Sequence, residues 1–307
     1  MAPQENMAEM NDQSFILSAS RRTDVPAFYA DWLMERLRRG RAEYLHPYTH
    51  ERIAVTLGPE RVAAIVFWTK NFAPMLERVD ELTRLGYSRW LVHYTITGLG
   101  REWEPRVPDA GESVGVLKAL SSLIGPDRIC WRFDPMVFTR KITPERTLER
   151  FEALCRKLAG SVGRCYTSVM LPYAKTAARV AGYEREHNDA VCVPEDKKLF
   201  DLSSRLAAIG AGSGITLHAC CDPRLQGFGV LPARCIDADL IRSLWPECGA
   251  APEPAPTRKA CNCHRALDLG AYDTCPHRCL YCYANSRDSL IQRRRAAHRP
   301  DHPAMVP

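Results

Sequence analysis

Short apolar runs rich in β-branched and aromatic residues recur along the chain: Phe15–Ser18, Val62–Trp68, Trp90–Ile96, Ile129–Phe133, Cys165–Met170 and Ile215–Ala219. Each reads as a strand. Between them lie stretches with helical spacing. Pro26–Arg39 sets Phe28, Trp32, Leu33 and Leu37 on one stripe, with Pro26 suited to a first helical turn. Phe72–Leu85 repeats the pattern through Met75, Leu76, Val79 and Leu82, and Gly86 follows as a stop. Thr143-Pro144-Glu145 opens a helix that runs to Leu158, with Thr143 as the cap and Pro144 at the first turn. A further helix runs from Pro194 to Ile209.

Strands alternating with helices of this length predict a parallel sheet with helical crossovers. The fold class expected is therefore α/β, a partial or complete (β/α) barrel. Arg41–Leu57 reads as an inserted hairpin. The Pro/Ala-rich residues 249–259 read as an extended linker between a barrel body at 14–248 and a cysteine-rich segment at 260–286. Residues 1–13 are expected to be disordered, and 287–307 to form a mobile basic tail.

In such a fold, functional groups collect where strands run into the loops that follow them. Those ends are polar here: Arg21, Arg22 and Asp24 after the first strand, Lys70 and Asn71 after the second, Thr95 on the third, Arg132 and Asp134 on the fourth, and His218 on the sixth. A ring of this composition suits a charged cofactor or an anionic small-molecule substrate. Arg132, Asp134, Lys70 and His218 are the catalytic candidates. Arg21, Arg22, Asp24, Asn71 and Thr95 are the cofactor-binding ones. The alternative is that Arg132 with Asp134, or Arg21 with Asp24, pair simply to close the mouth. His93, inside an apolar strand, reads as a core histidine. The basic stretches at Arg36–Arg41 and Arg293–Arg299 read as a solvated helix face and tail, with nucleic-acid contact as the alternative.

Length and composition accommodate one large core: 307 residues, 46% hydrophobic, with a formal charge of +6 that by itself does not argue for nucleic acid. The count of 13 cysteines changes the picture more. Cys275, Cys279 and Cys282 stand in a Cys-x-x-x-Cys-x-x-Cys spacing with Tyr281 before the last. Three thiolates so close can wrap one small metal cluster yet leave one position open. His277 is the donor that would complete a zinc site instead. An odd cysteine count and a polar N-terminal stretch argue against a secreted disulfide framework. No apolar run is long enough to span a membrane. The location expected is the cytoplasm, where clustered thiols more often mean metal.

The run Cys275–Cys282 resembles the cluster-binding loop of the radical S-adenosylmethionine enzymes. With Ser20-Arg21-Arg22-Thr23-Asp24 and Phe67-Trp68-Thr69-Lys70-Asn71 upstream, the chain also resembles the bacterial domain of unknown function 1848 over about Phe15–Asn285. The first resemblance implies a 4Fe–4S cluster on Cys275, Cys279 and Cys282, S-adenosyl-L-methionine on the open iron, and an electron donor such as flavodoxin or ferredoxin. The family resemblance points to Cys220, Cys235, Cys261 and Cys263 as a second group, for an auxiliary cluster or zinc. The chain differs from the enzyme pattern in two respects. Its loop follows the strands, implying a circularly permuted barrel or a loop folded over the mouth, and it contains no Gly-Gly pair. A zinc-stapled binding protein, perhaps for nucleic acid, is the reading from another class. A barrel hydrolase with incidental cysteines is a third.

Overall fold

The computed structural model describes residues 14–307 apart from 47, 48, 50 and 172, so the expected disordered segment 1–13 lies outside the described residues. Strand β1 (Phe15–Ala19) leads through helices α1 (Val25–Phe28) and α2 (Ala30–Arg38) into a hairpin of β2 (Arg41–Leu45) and β3 (Arg52–Thr56). Then follow β4 (Val62–Thr69), α3 (Ala73–Leu76), α4 (Val79–Arg84), β5 (Trp90–Thr95), α5 (Ala110–Ile124), β6 (Ile129–Met136), α6 (Pro144–Leu158) and β7 (Arg164–Val169). The chain ends with α7 (Ala174–His187), α8 (Asp196–Gly212), β8 (Thr216–Ala219), β9 (Val230–Pro232), α9 (Ala238–Leu244), β10 (Leu267–Asp268) and α10 (Asp288–Ala297). No helix among the described residues is long and apolar enough to cross a membrane.

Eight strands form one sheet in the order β10-β1-β4-β5-β6-β7-β8-β9, with every pairing parallel. The expected α/β architecture and the inserted hairpin are both present; β2 and β3 pair antiparallel as a separate ribbon. Among the described residues no sheet pairing joins β9 to β10, so the expected α/β barrel is seen as a parallel eight-stranded sheet without a closing pairing. One backbone bond, from His264 N to Ile236 O at 3.0 Å, connects the segments beside those two edges.

Alternation along the strands sorts the side chains onto two faces. Leu17, Ile65, Phe67, Val92, Tyr94, Trp131, Phe133 and Leu217 point into the main core, with Trp32, Leu33, Leu117, Phe151 and Leu202 from the helices. Ile16, Ala64, Val66, Leu91, Cys130 and Tyr166 face the other way, where Ile236, Ala238, Leu240 and Ile241 of the α9 region cover them. Both faces are thus buried, as parallel sheets require. Thr143 caps α6 as its sequence predicts, and the carboxylate of Asp24 accepts from Ala27 N at the start of α1.

Two segments differ from expectation. Residues expected as an extended linker turn back on the cysteine-rich segment: Ala255 N donates to Cys263 O, Arg265 N to Glu253 O, and Ala250 is buried. The expected mobile tail forms α10 and then packs on α2 and β2. Trp32 Nε1 donates to His302 O at 3.0 Å, Arg36 Nη2 to Asp301 O at 2.8 Å, and Glu43 N to Pro303 O at 2.9 Å. Backbone groups satisfied this way, rather than tail composition, decide the packing.

Two measurements test this core. Phe151 stacks on Trp131 at 5.2 Å and meets Phe133 edge-on at 5.1 Å. Phe151→Ala is expected to cost about 3–5 kcal/mol in urea denaturation, whereas Leu123→Ala, at a half-exposed position, should stay within about 0.5 kcal/mol. Burial pushes the Cys130 thiol up to about 11. Below the ordinary thiol range both folded and unfolded forms are neutral, so this residue adds no pH dependence there. Above it the unfolded chain ionises first, and stability falls as pH rises towards 11, by up to about 1.4 kcal/mol per pH unit. Denaturation at pH 8 and pH 10 should show this loss in wild type, and a smaller one in Cys130→Ala.

Candidate metal centre

Cys275, Cys279 and Cys282 sit in a turn-rich loop held from three sides. Arg179 of α7 donates to the carbonyls of Leu280 at 3.2 Å, Cys282 at 2.5 Å and Asn285 at 2.9 Å. Asn285 Nδ2 donates to Cys275 O at 2.8 Å, and Leu280 N to Trp103 O at 3.0 Å. The third anchor is His277, whose Nε2 lies 2.8 Å from Asp24 Oδ2 and whose Nδ1 lies 3.1 Å from Arg106 O. Both ring nitrogens are therefore committed to oxygens. That corrects the expectation that His277 might complete a zinc site with the three cysteines, because a ligating histidine must present a free nitrogen.

Asp24 is the hub of this arrangement. Its Oδ1 accepts from Ala27 N at 3.0 Å and Thr69 Oγ1 at 2.7 Å, and its Oδ2 from Lys70 N at 2.7 Å and His277. With both oxygens doubly used, Asp24 positions the loop; the sequence reading as a cofactor ligand leaves no lone pair for that task. Nor does it pair with Arg21, whose guanidinium lies 3.8 Å from Asp268 instead. Asn71 likewise spends its Oδ1 on Ala73 N at the start of α3.

Beside the loop, Lys70 Nζ pairs with Glu104 at 2.7 Å, lies 5.5 Å from the centre of the Tyr281 ring, and shares Glu104 with the Tyr281 hydroxyl. Burial pushes the Glu104 carboxyl up, yet Lys70 and the tyrosine hydroxyl more than offset this and hold it below the ordinary carboxylate range. Burial also pushes the thiols of Cys275, Cys279 and Cys282 up, most strongly Cys279. The charges of Cys275 and Cys282 both bear on Cys279. Thiols raised in this way, two of them buried and Cys282 half-buried, would release protons on taking up a metal.

A second set of thiols gathers where β8 and β9 end. Cys220 Sγ lies 3.1 Å from Cys235 Sγ and 3.9 Å from Cys221 Sγ. Cys261 and Cys263 belong to the same buried cluster as Cys220 and Cys235, and Cys221 packs against it. The four cysteines grouped from the family resemblance share this cluster, and Cys221, which that grouping left out, adjoins Cys220. Arg132 Nη1 lies 3.2 Å from Cys235 Sγ while Nη2 pairs with Asp134 at 2.6 Å, and Arg258 Nη2 lies 3.8 Å from Cys220 Sγ. The Arg132–Asp134 ion pair foreseen as one alternative is formed, and the same arginine also faces sulfur. Burial drives the Arg132 guanidinium down, but Cys235 and Asp134 outweigh it and leave it raised.

The remaining candidates are dispersed. Arg22 donates weakly to Gly270 O at 3.4 Å and lies over the Tyr272 ring. Thr95 ends β5 opposite Arg132. His218 lines a cavity of about 300 Å³ with Arg164, Tyr166 and Asn262, to which none of the loop cysteines contributes. His93 is a core residue: fully buried, stacked on Trp68 at 4.4 Å, and donating from Nε2 to Cys235 O at 2.7 Å. Glu104, Arg179, Arg258 and Asp268 were missed, since isolated charged residues in loops, on a helix face and in a two-residue strand have no spacing that marks them.

A parallel α/β sheet whose strand ends carry two groups of gathered thiols has a donor set compatible with metal binding. The chain belongs to the family described as Domain of unknown function (DUF1848), whose profile matches residues 16–284. Among curated proteins no match was found.

Removing the hub should loosen the loop. Asp24→Ala leaves Thr69, Lys70 N and His277 without their acceptor, and is expected to cost about 3 kcal/mol. Limited proteolysis should detect earlier cleavage around Cys275–Cys282 in this variant than in Asn71→Ala.

Proposed function

We propose that the protein is an iron–sulfur enzyme of the radical S-adenosylmethionine type, acting on a small anionic substrate. The observation that carries this reading is that the loop offers three thiols while its one histidine is already committed through both nitrogens. Cys275, Cys279 and Cys282 would hold a 4Fe–4S cluster and leave one iron for an exchangeable ligand. Bound there, the cluster and S-adenosyl-L-methionine together supply reductive cleavage of the sulfonium, fed by a small electron donor of the flavodoxin or ferredoxin kind.

The chain's own residues would act around this centre. Lys70 brings positive charge beside Cys279 and so offsets the thiolates. The Tyr281 hydroxyl, fixed on Glu104, orients the aromatic ring next to the third cysteine. Arg179 and Asn285 hold the carbonyls of the loop, so that it keeps its shape during ligand exchange. Arg21 and Arg22 at the end of β1 suit an anionic substrate. The zinc-stapled reading lacks a fourth donor from this loop.

Anaerobic reconstitution should give a brown protein with about four irons attributable to the loop, and dithionite with S-adenosyl-L-methionine should release 5′-deoxyadenosine. Cys279→Ala should lose both. Retention of cleavage in that variant would falsify the assignment.

A further inference from the structure

Five thiols, Cys220, Cys221, Cys235, Cys261 and Cys263, meet across three separate stretches of chain, and their placement is unlike that of incidental core cysteines. Cys130, Cys155 and Cys165 are each buried inside a strand or helix among apolar neighbours. The five instead follow the ends of β8 and β9 or precede β10, where the backbone is irregular and a left-handed residue, Cys221 at φ 53°, is tolerated. Four of them are buried: Cys220, Cys235, Cys261 and Cys263. The Cys220–Cys235 sulfur pair at 3.1 Å is too long for a disulfide bond and lies within hydrogen-bond reach.

The surroundings are as specific as the donors. Arg132 and Arg258 approach the sulfurs from opposite neighbours, Cys235 and Cys220. Thr257 Oγ1 donates to Cys261 Sγ at 3.6 Å. Four thiolates around a divalent ion, or around an oxidised four-iron cluster, leave a double negative charge, and two guanidiniums offset it. Neutral thiols would give Arg132, one of the most buried cations of the chain, only Asp134 as its counter-charge.

We infer that these five cysteines form a second thiolate metal site, separate from the Cys275–Cys282 loop, which takes a thiophilic metal, either as a zinc ion or as an iron–sulfur cluster. Four thiols ligate and the fifth remains over, with half-exposed Cys221 the natural spare. Soft sulfur donors select these metals over magnesium or calcium. Asp237, Asp239 and His264 also lie within 4.8 Å of one another, but their donors are committed elsewhere. Asp237 caps α9, Asp239 pairs with Arg234 and Arg242, and His264 Nδ1 accepts from Ala238 N. This inference rests on the thiol geometry alone and does not require the proposed reaction.

The test uses the full chain purified anaerobically, as wild type and as Cys275→Ser/Cys279→Ser/Cys282→Ser. The triple variant is expected to keep either about one zinc per chain or an iron–sulfide chromophore, and elemental analysis with visible absorption tells these apart. X-ray absorption at the edge of the retained metal should find sulfur at about 2.3 Å. Adding Cys220→Ser and Cys263→Ser should abolish retention, while Cys192→Ser, at an exposed position, should not. A triple variant that folds by circular dichroism yet holds no metal overturns the inference. So does a coordination shell of oxygen and nitrogen, which would move the site to Asp237, Asp239 and His264. Should the triple variant not fold, the same absorption measurement on Cys279→Ser decides. Loss of the loop's cluster with retention of this metal would leave the inference standing whatever becomes of the proposed enzyme activity.

Discussion

One carboxylate fixes the relation between the sheet and the cysteine loop. Asp24 accepts four hydrogen bonds, from the helix that follows β1, from the end of β4 and from His277 in the loop. A carboxylate in this position has no lone pair left over, so the three elements are registered against each other by a single group. Asp268 does the same on the other side of β1, accepting from Ser18, Ser20, Arg21 N and Gly270 N. Between them, two acidic residues explain how a loop late in the chain comes to sit over strand ends formed early in it.

The charge arrangement follows from that placement. The loop brings Cys279 near Lys70, and the second group brings Cys235 against Arg132 and Cys220 towards Arg258. Lys70 and Arg132 also have acidic partners, Glu104 and Asp134, with Ser168 bonded to Asp134. Buried charges are tolerated when paired in this way, and the paired cations retain a face turned to sulfur. The strand-end ring read from the sequence is thus not one uniform anion site: Asp24 and Asn71 serve the backbone, while Lys70 and Arg132 each look towards a different thiol group.

The parallel sheet was legible because its central strands are apolar on both faces, and six such runs stand out against the helical stretches between them. Other elements left no pattern. β10 is two residues long, Leu267 and Asp268, and owes its place to side-chain bonds from β1 rather than to propensity. Helix α5 carries Gly111 and Gly115, and α7 buries little beyond Thr176 and Tyr183, so neither shows a strong apolar stripe. The Pro/Ala segment reads as a spacer by composition, and only its backbone bonds to Cys263 and Arg265 reveal it as part of the wall around the second thiol group. The cysteine spacing made the loop visible at once. The committed nitrogens of His277 required coordinates, since nothing in sequence says which acceptors a ring will meet across 253 residues.

That separation has a consequence for how the protein is made. During synthesis β1 can pair with β4 early, but its other neighbour, β10, and the His277 partner of Asp24 follow only much later in the chain. Until then one edge of β1 stays open and a buried-to-be carboxylate remains hydrated, and neither thiol group is complete before residues 261–282 have been added. A chain cut before residue 260 would therefore hold every strand of the sheet except β10, with neither thiol group complete.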